Sequence, residues 1–124
     1  MTRRSVLIVD DHEAFRAAAR ALLEGRDFEV VGEAADGQGA LAAAARLRPD
    51  VVLLDIRLPD VDGYEVSRRL ASETTDRPVV VLVSTLDAVD VGRRAIASGA
   101  RGFVTKSRLS GDTLRKLLNE EEGA

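Results

Sequence analysis

Three short apolar runs dominate the pattern along the chain: Val6-Leu7-Ile8-Val9, Val51-Val52-Leu53-Leu54 and Val79-Val80-Val81-Leu82-Val83. Each is continuous rather than alternating, which suits strands buried on both faces, as in a parallel sheet. Two weaker runs, Phe28 to Ala34 and Gly102 to Thr105, are short enough for edge strands. Helical spacing fills the gaps. Phe15, Ala18, Ala19, Leu22 and Leu23 recur at that spacing, and Gly25 follows as a stop signal. Asp36 can cap a second helix through Leu41, Ala44 and Ala45. It ends before Arg48-Pro49, because the residue preceding a proline disfavours helix. Gly63, Val66, Ser67 and Leu70 describe a third helix, and Ala88, Val91, Ala95 and Ile96 a fourth. In the fifth, Ser110 is the cap, Leu109 staples onto Leu114, and Leu114, Leu117 and Leu118 form the buried stripe.

Strand then helix, five times over, predicts an α/β fold. Right-handed crossovers place helices on both faces of one parallel sheet. The economical solution is a doubly wound five-stranded sheet of order 2-1-3-4-5, flavodoxin-like. A length of 124 residues fits one domain. The five units use nearly all of it, so the expectation is a single domain over residues 1–124 with no effector domain in this chain.

Composition narrows the chemistry. There is no cysteine, which excludes a disulfide scaffold, a zinc ribbon and thiol catalysis. A net charge of −3 argues against a duplex-binding surface, and 3% aromatic residues argue against a stacking platform for single strands. The pairs Arg68-Arg69 and Arg93-Arg94 read as solvated helix faces. No apolar run approaches the roughly 18 residues of a membrane span. Met1-Thr2-Arg3-Arg4 opens the chain with no cleavage-site pattern, so the expected compartment is the cytoplasm, with no membrane partner.

Sites in such sheets form beyond the carboxyl ends of the strands. Asp10-Asp11 follow the first run, Asp55 the third, Ser84-Thr85 end the fourth, and Lys106 lies just past Thr105. Singly, each has an ordinary reading: a helix cap, a turn residue, a surface charge. Together they place three carboxylates, a hydroxyl and an ammonium on one edge. Carboxylates so close raise a pKa or require a counter-charge. Oxygen-only donors, without His or Cys, suit a hard ion, and Mg²⁺ accepts a few carboxylates while keeping waters for phosphate oxygens. Asp10 or Asp11 would hold it with Asp55, and the Arg57 carbonyl could complete the set. The reacting partner is then a phosphoryl group: Lys106 neutralises its oxygens, Ser84 donates a hydrogen bond, and Asp55 attacks in line.

The motifs Val-Leu-Ile-Val-Asp10-Asp11-His12, Pro49-Asp50-Val-Val-Leu-Leu-Asp55, Leu58-Pro59-Asp60-Val61-Asp62-Gly63, Ser84-Thr85 and Gly99-Ala100-Arg101-Gly102-Phe103-Val104-Thr105-Lys106 occur in that order. They resemble a bacterial two-component response-regulator receiver domain, nearest the NarL/FixJ class, from residue 5 to about 119. The resemblance implies Asp55 as phospho-acceptor, Asp10 and Asp11 as the acidic Mg²⁺ pocket, Ser84 and Lys106 on the phosphoryl group, and Phe103 as the aromatic switch. It implies a sensor histidine kinase as donor and a phosphorylation-dependent homodimer as a further partner. Such a domain is a signalling module, not an enzyme with its own substrate: it catalyses only its own phosphoryl transfer and dephosphorylation. Ser84 and Phe103 would carry the change to the face made by the fourth helix, fifth strand and fifth helix.

Several positions depart from the commonest receiver pattern. Ser107 stands where a proline often follows the lysine, and a cis bond there would cost about 2.5–4 kcal/mol. Ser84 replaces a frequent Thr and keeps its hydroxyl, whereas Phe103 replaces a frequent Tyr and loses one. Arg57, Thr85 and Leu86 flank the pocket mouth. Three rival readings remain at this point. A Mg²⁺-dependent phosphatase with an aspartyl nucleophile needs Asp-x-Asp after the first strand, and here the two are adjacent. A flavodoxin-type binder needs a Ser/Thr/Gly loop there, and Asp-Asp-His-Glu would repel a flavin phosphate. The third is a degenerate pseudo-receiver that acts only as an interaction module. His12, the one histidine, reads as a helix-start residue.

Overall fold

The strongest apolar runs lie side by side at the centre of the sheet. In the computed structural model, which describes residues 3–25, 27–73, 78–85 and 89–119, β1 (Arg4–Val9) pairs with β3 (Val51–Asp55), and β3 with β4 (Val79–Ser84), all parallel. The weaker runs, β2 (Phe28–Ala34) and β5 (Gly102–Thr105), form the edges, so the order is 2-1-3-4-5. Successive side chains of a strand point to opposite faces, and both faces are covered. Leu7, Val9, Val52, Leu54, Val80 and Leu82 face α2 (Gly37–Leu47), α3 (Gly63–Glu73) and α4 (Val89–Ala97). Val6, Ile8, Leu53, Val81 and Val83 face α1 (Glu13–Leu23) and α5 (Gly111–Asn119). Among the described residues no helix is long and apolar enough to cross a membrane.

The helix signals locate the ends closely. Asp36 accepts the Gly39 N–H at 2.7 Å, and Arg48 turns left-handed at φ 49°, stopping α2 one residue before Pro49. Ser110 Oγ accepts the Thr113 N–H at 3.0 Å, and Leu109 and Leu114 share one core cluster. Three expected stripes differ from what the sequence suggests: in α2, Ala44 is buried as expected but Ala45 is exposed, and Ala40 and Ala43 are buried instead. In α1 the side facing the sheet runs Phe15, Ala19, Leu23, a clean four-residue step, so Ala18 is exposed and Leu22 is 52% exposed. In α4, Val91 and Ala95 are buried but Ile96 is 60% exposed, one residue off the same kind of step. Ala88, expected in this helix, lies outside the described residues. Nothing in the sequence announces the single 3₁₀ turn Lys106–Arg108 between β5 and α5.

Arg68 and Arg69 pair with Glu65 on their own helix, an ordinary exposed arrangement. Arg93 is exposed as expected, but Arg94 is not simply solvated. Its guanidinium lies 4.2 Å from the Tyr64 ring centre and 3.9 Å from Asp62 Oδ2, tying α4 to the start of α3. A second tie is buried: Ser67 Oγ donates to the Ser98 carbonyl at 3.0 Å, just past the end of α4. Ser67→Ala leaves that carbonyl without the hydroxyl. Expected is a loss of about 1–2 kcal/mol in urea unfolding at unchanged denaturant slope. An unaltered midpoint would show that the bond contributes nothing net.

Candidate functional site

Four strand ends converge at the carboxyl edge of the sheet. Asp10 follows β1 and is wholly buried; Asp55 closes β3 at 4% exposure; Ser84 closes β4, also buried; Lys106 follows β5 directly. Asp55, Ser84 and Lys106, with His12, Ile56, Arg57 and Thr85, line a cavity of about 200 Å³. Arg57 and Thr85 are thus part of the lining, while Leu86 lies outside the described residues. Asp11 is exposed beside it.

Lys106 Nζ lies 2.6 Å from Asp10 Oδ2 and 3.3 Å from Asp55 Oδ2, so one ammonium serves two buried carboxylates. It also sits 4.5 Å from the centre of the Phe15 ring. The Lys106–Ser107 peptide is trans. Asp55 Oδ1 accepts the Arg57 N–H at 3.1 Å, which orients the carboxylate. Burial pushes the Asp55 carboxyl up, and the neighbouring Asp10 charge adds to it; the Arg57 amide and Lys106 offset only part, so it stays above its ordinary value. Burial alone would raise Asp10 too, but Lys106 and the His12 amide outweigh it and hold that carboxyl low. Burial would lower Lys106; Asp10 and Asp55 reverse the sign and hold the ammonium above its usual range.

Asp10, Asp11, His12 and Asp55 each offer a ligating atom, and these atoms lie within 4.8 Å of one another. Asp10 Oδ2 accepts no well-directed hydrogen bond, although the Lys106 ammonium is close by. Three carboxylates brought this close are a hard-ion donor set, and Mg²⁺ fits it. His12 does start α1, as expected, yet its Nδ1 also lies 3.1 Å from both Asp10 Oδ1 and Asp11 Oδ1. A lone histidine carries no sequence signal for that contact, because only the turn after β1 folds it back.

The segment after Asp55 is tightly made. Arg57 and Asp62 form an antiparallel bridge, and the Gly63 N–H donates to the Ile56 carbonyl at 3.0 Å. A Cβ on Gly63 would fall 2.3 Å from the Asp55 carbonyl oxygen, so glycine is required at that close approach. Asp62 Oδ1 accepts the Tyr64 N–H at 2.6 Å, opening α3. Asp60 reaches outward instead, and the Gly37 and Gln38 amides hold its carboxyl below the ordinary value. Phe103 is not in the acidic pocket. Its half-buried ring packs beside the α2–α3–α4 core and lines a separate cavity of about 320 Å³ on the β5–α5 side.

Residues 6–119 match the family model described as the response regulator receiver domain. BvgA of Bordetella pertussis is 44% identical over 114 residues, covering 92% of this chain and 52% of that protein. The transcriptional regulatory protein LiaR of Bacillus subtilis is 38% identical over 103 residues, covering 82% of this chain and 48% of LiaR. The chain thus spans about half the length of the curated relatives it matches. The signal receiver domain of NarL from Mycobacterium tuberculosis superposes with a TM-score of 0.86 at 34% identity, covering 100% of both chains. With the parallel 2-1-3-4-5 sheet and the acidic pocket at its carboxyl edge, these matches show that the chain belongs to the response regulator receiver domain family.

Proposed function

We propose that Asp55 takes a phosphoryl group from the phosphohistidine of a sensor kinase, within a single receiver domain. The Asp10–Lys106–Asp55 cluster at the cavity carries this reading. A carboxylate oxygen of Asp55 forms the new bond to phosphorus. The phosphorus–nitrogen bond of the donor breaks, and its electron pair leaves with the imidazole. The Arg57 amide holds Asp55 in one orientation during approach. Asp10, Asp11, Asp55 and the Arg57 carbonyl would hold Mg²⁺, which supplies charge neutralisation for the phosphoryl oxygens.

Lys106 already neutralises Asp10 and Asp55, and it is near enough to follow the added charge once phosphorus is attached. Ser84 faces Thr105 across the β4–β5 pair, two residues along β5 from Phe103, so a shift of its hydroxyl is felt on β5. That is the route by which a local charge biases the α4–β5–α5 face between two packings. A homodimer that forms on phosphorylation is the expected readout of that face.

Acetyl phosphate with Mg²⁺ should add one phosphoryl group by intact-mass spectrometry, and the adduct should be removed by hydroxylamine, as an acyl phosphate is. Chelation by EDTA should prevent it. A stable adduct that resists hydroxylamine would point to a hydroxyl and overturn Asp55 as acceptor.

A further inference from the structure

The loop that follows Asp55 is fixed at both its base and its tip. At the base, Arg57 bridges to Asp62 and donates its amide to Asp55. At the tip, Asp60 crosses to a different element. Its Oδ1 accepts the Gly37 N–H at 2.8 Å and its Oδ2 accepts the Gln38 N–H at 3.0 Å. With Asp36 on the Gly39 N–H, three of the amides that a helix start leaves without partners are satisfied at α2. The carboxylate also meets the positive end of the helix dipole.

The contact leaves no slack. A Cβ on Gly37 would lie 2.2 Å from Val61 Cγ1 and 2.9 Å from Val66 Cγ2. Loop and helix start are thus seated against each other, with glycine at the point of closest approach. Asp60 is exposed and is not one of the four residues of the acidic cluster. It has no reach to the reacting atoms, yet only two residues separate it from Arg57.

We infer that Asp60 is a positioning residue: clamped on the α2 N-terminus, it holds the Arg57 end of the loop in the geometry that binds Mg²⁺. The inference rests on the Mg²⁺ reading above and names what tunes it. Ordering a loop at the moment of binding costs conformational entropy, and a loop ordered beforehand avoids that cost. Partners one shell out from a metal typically alter affinity by about 10–100-fold. Asp60 acts through one further link, so the effect expected is about three- to tenfold.

The test is Mg²⁺ titration of the whole chain, followed by the NMR amide shift of Arg57. Asp60→Ala should raise the dissociation constant about three- to tenfold, and Asp60→Asn, which keeps one acceptor oxygen, should fall between. Gly37→Ala presses on the same contact from the helix side and should shift affinity in the same direction. Phosphorylation by acetyl phosphate should slow in Asp60→Ala at limiting Mg²⁺ and recover to within about twofold at saturation. An Asp60→Ala protein that melts earlier but binds Mg²⁺ like wild type would overturn the inference and leave Asp60 a helix cap. A wild-type chain that binds no Mg²⁺ would instead overturn the underlying reading, so the two failures are distinguishable.

Discussion

Asp55→Asn is expected to abolish phosphoryl labelling and, at neutral pH, to raise the melting temperature. The first effect follows from the nucleophile: an amide oxygen does not attack phosphorus as a carboxylate does. The second follows from the environment. Burial and the Asp10 charge keep the Asp55 carboxyl above its ordinary value, so the folded chain holds that proton more tightly than the unfolded chain. The ionised group therefore costs stability at neutral pH, and wild type regains it as pH falls through the raised folded value. Asparagine removes the charge at constant volume, and its carbonyl can still accept the Arg57 amide. Calorimetry should show the variant melting above wild type at pH 7, the gap closing towards pH 4. Intact-mass spectrometry after acetyl phosphate should show no adduct. Undiminished labelling would sink the assignment of Asp55.

Continuous apolar runs announce buried parallel strands, and the strand order follows from handed crossovers. That order makes the residues at the strand ends neighbours: Asp10, Asp55, Ser84 and Lys106 are far apart in sequence and adjacent in space. Local grammar supplied the caps at Asp36 and Ser110.

What escaped has one physical character. It depends on side chains that reach out of their own element. Asp60 sits in a turn-rich Pro-Asp-Val-Asp-Gly stretch, and nothing there indicates that its carboxylate caps a helix 22 and 23 residues upstream. Arg94 looked like one of a solvated pair but stacks on Tyr64. Periodicity records the average direction of a face and misses a one-residue offset, which is why Leu22 and Ile96 fell on the wrong side.

Lys106→Met is expected to destabilise the chain by about 2–4 kcal/mol at pH 7, with a pH dependence opposite to an ordinary surface lysine. Methionine keeps the apolar stem beside Phe15 and removes only the charge. Asp10 and Asp55 are then left buried without their shared counter-ion, and removing one partner of a buried pair is the expensive case. In wild type the raised Lys106 value means that its contribution is present at neutral pH and lost only as pH rises through the folded value. Asp10, held low, contributes above its unfolded value and loses that as pH falls through the folded one. In Lys106→Met the second statement reverses. Burial, then opposed only by the His12 contacts, is expected to raise Asp10, and protonation relieves the strain. The stability gap to wild type should therefore be widest near pH 7 and shrink towards pH 4. Mg²⁺ should narrow it as well, because a cation among Asp10, Asp11 and Asp55 replaces the missing ammonium. Thermal melts of both proteins at two pH values, with and without Mg²⁺, separate these cases. A gap independent of both would mean that Lys106 stabilises the fold through its stem alone, and the charge-coupled triad would have to be abandoned.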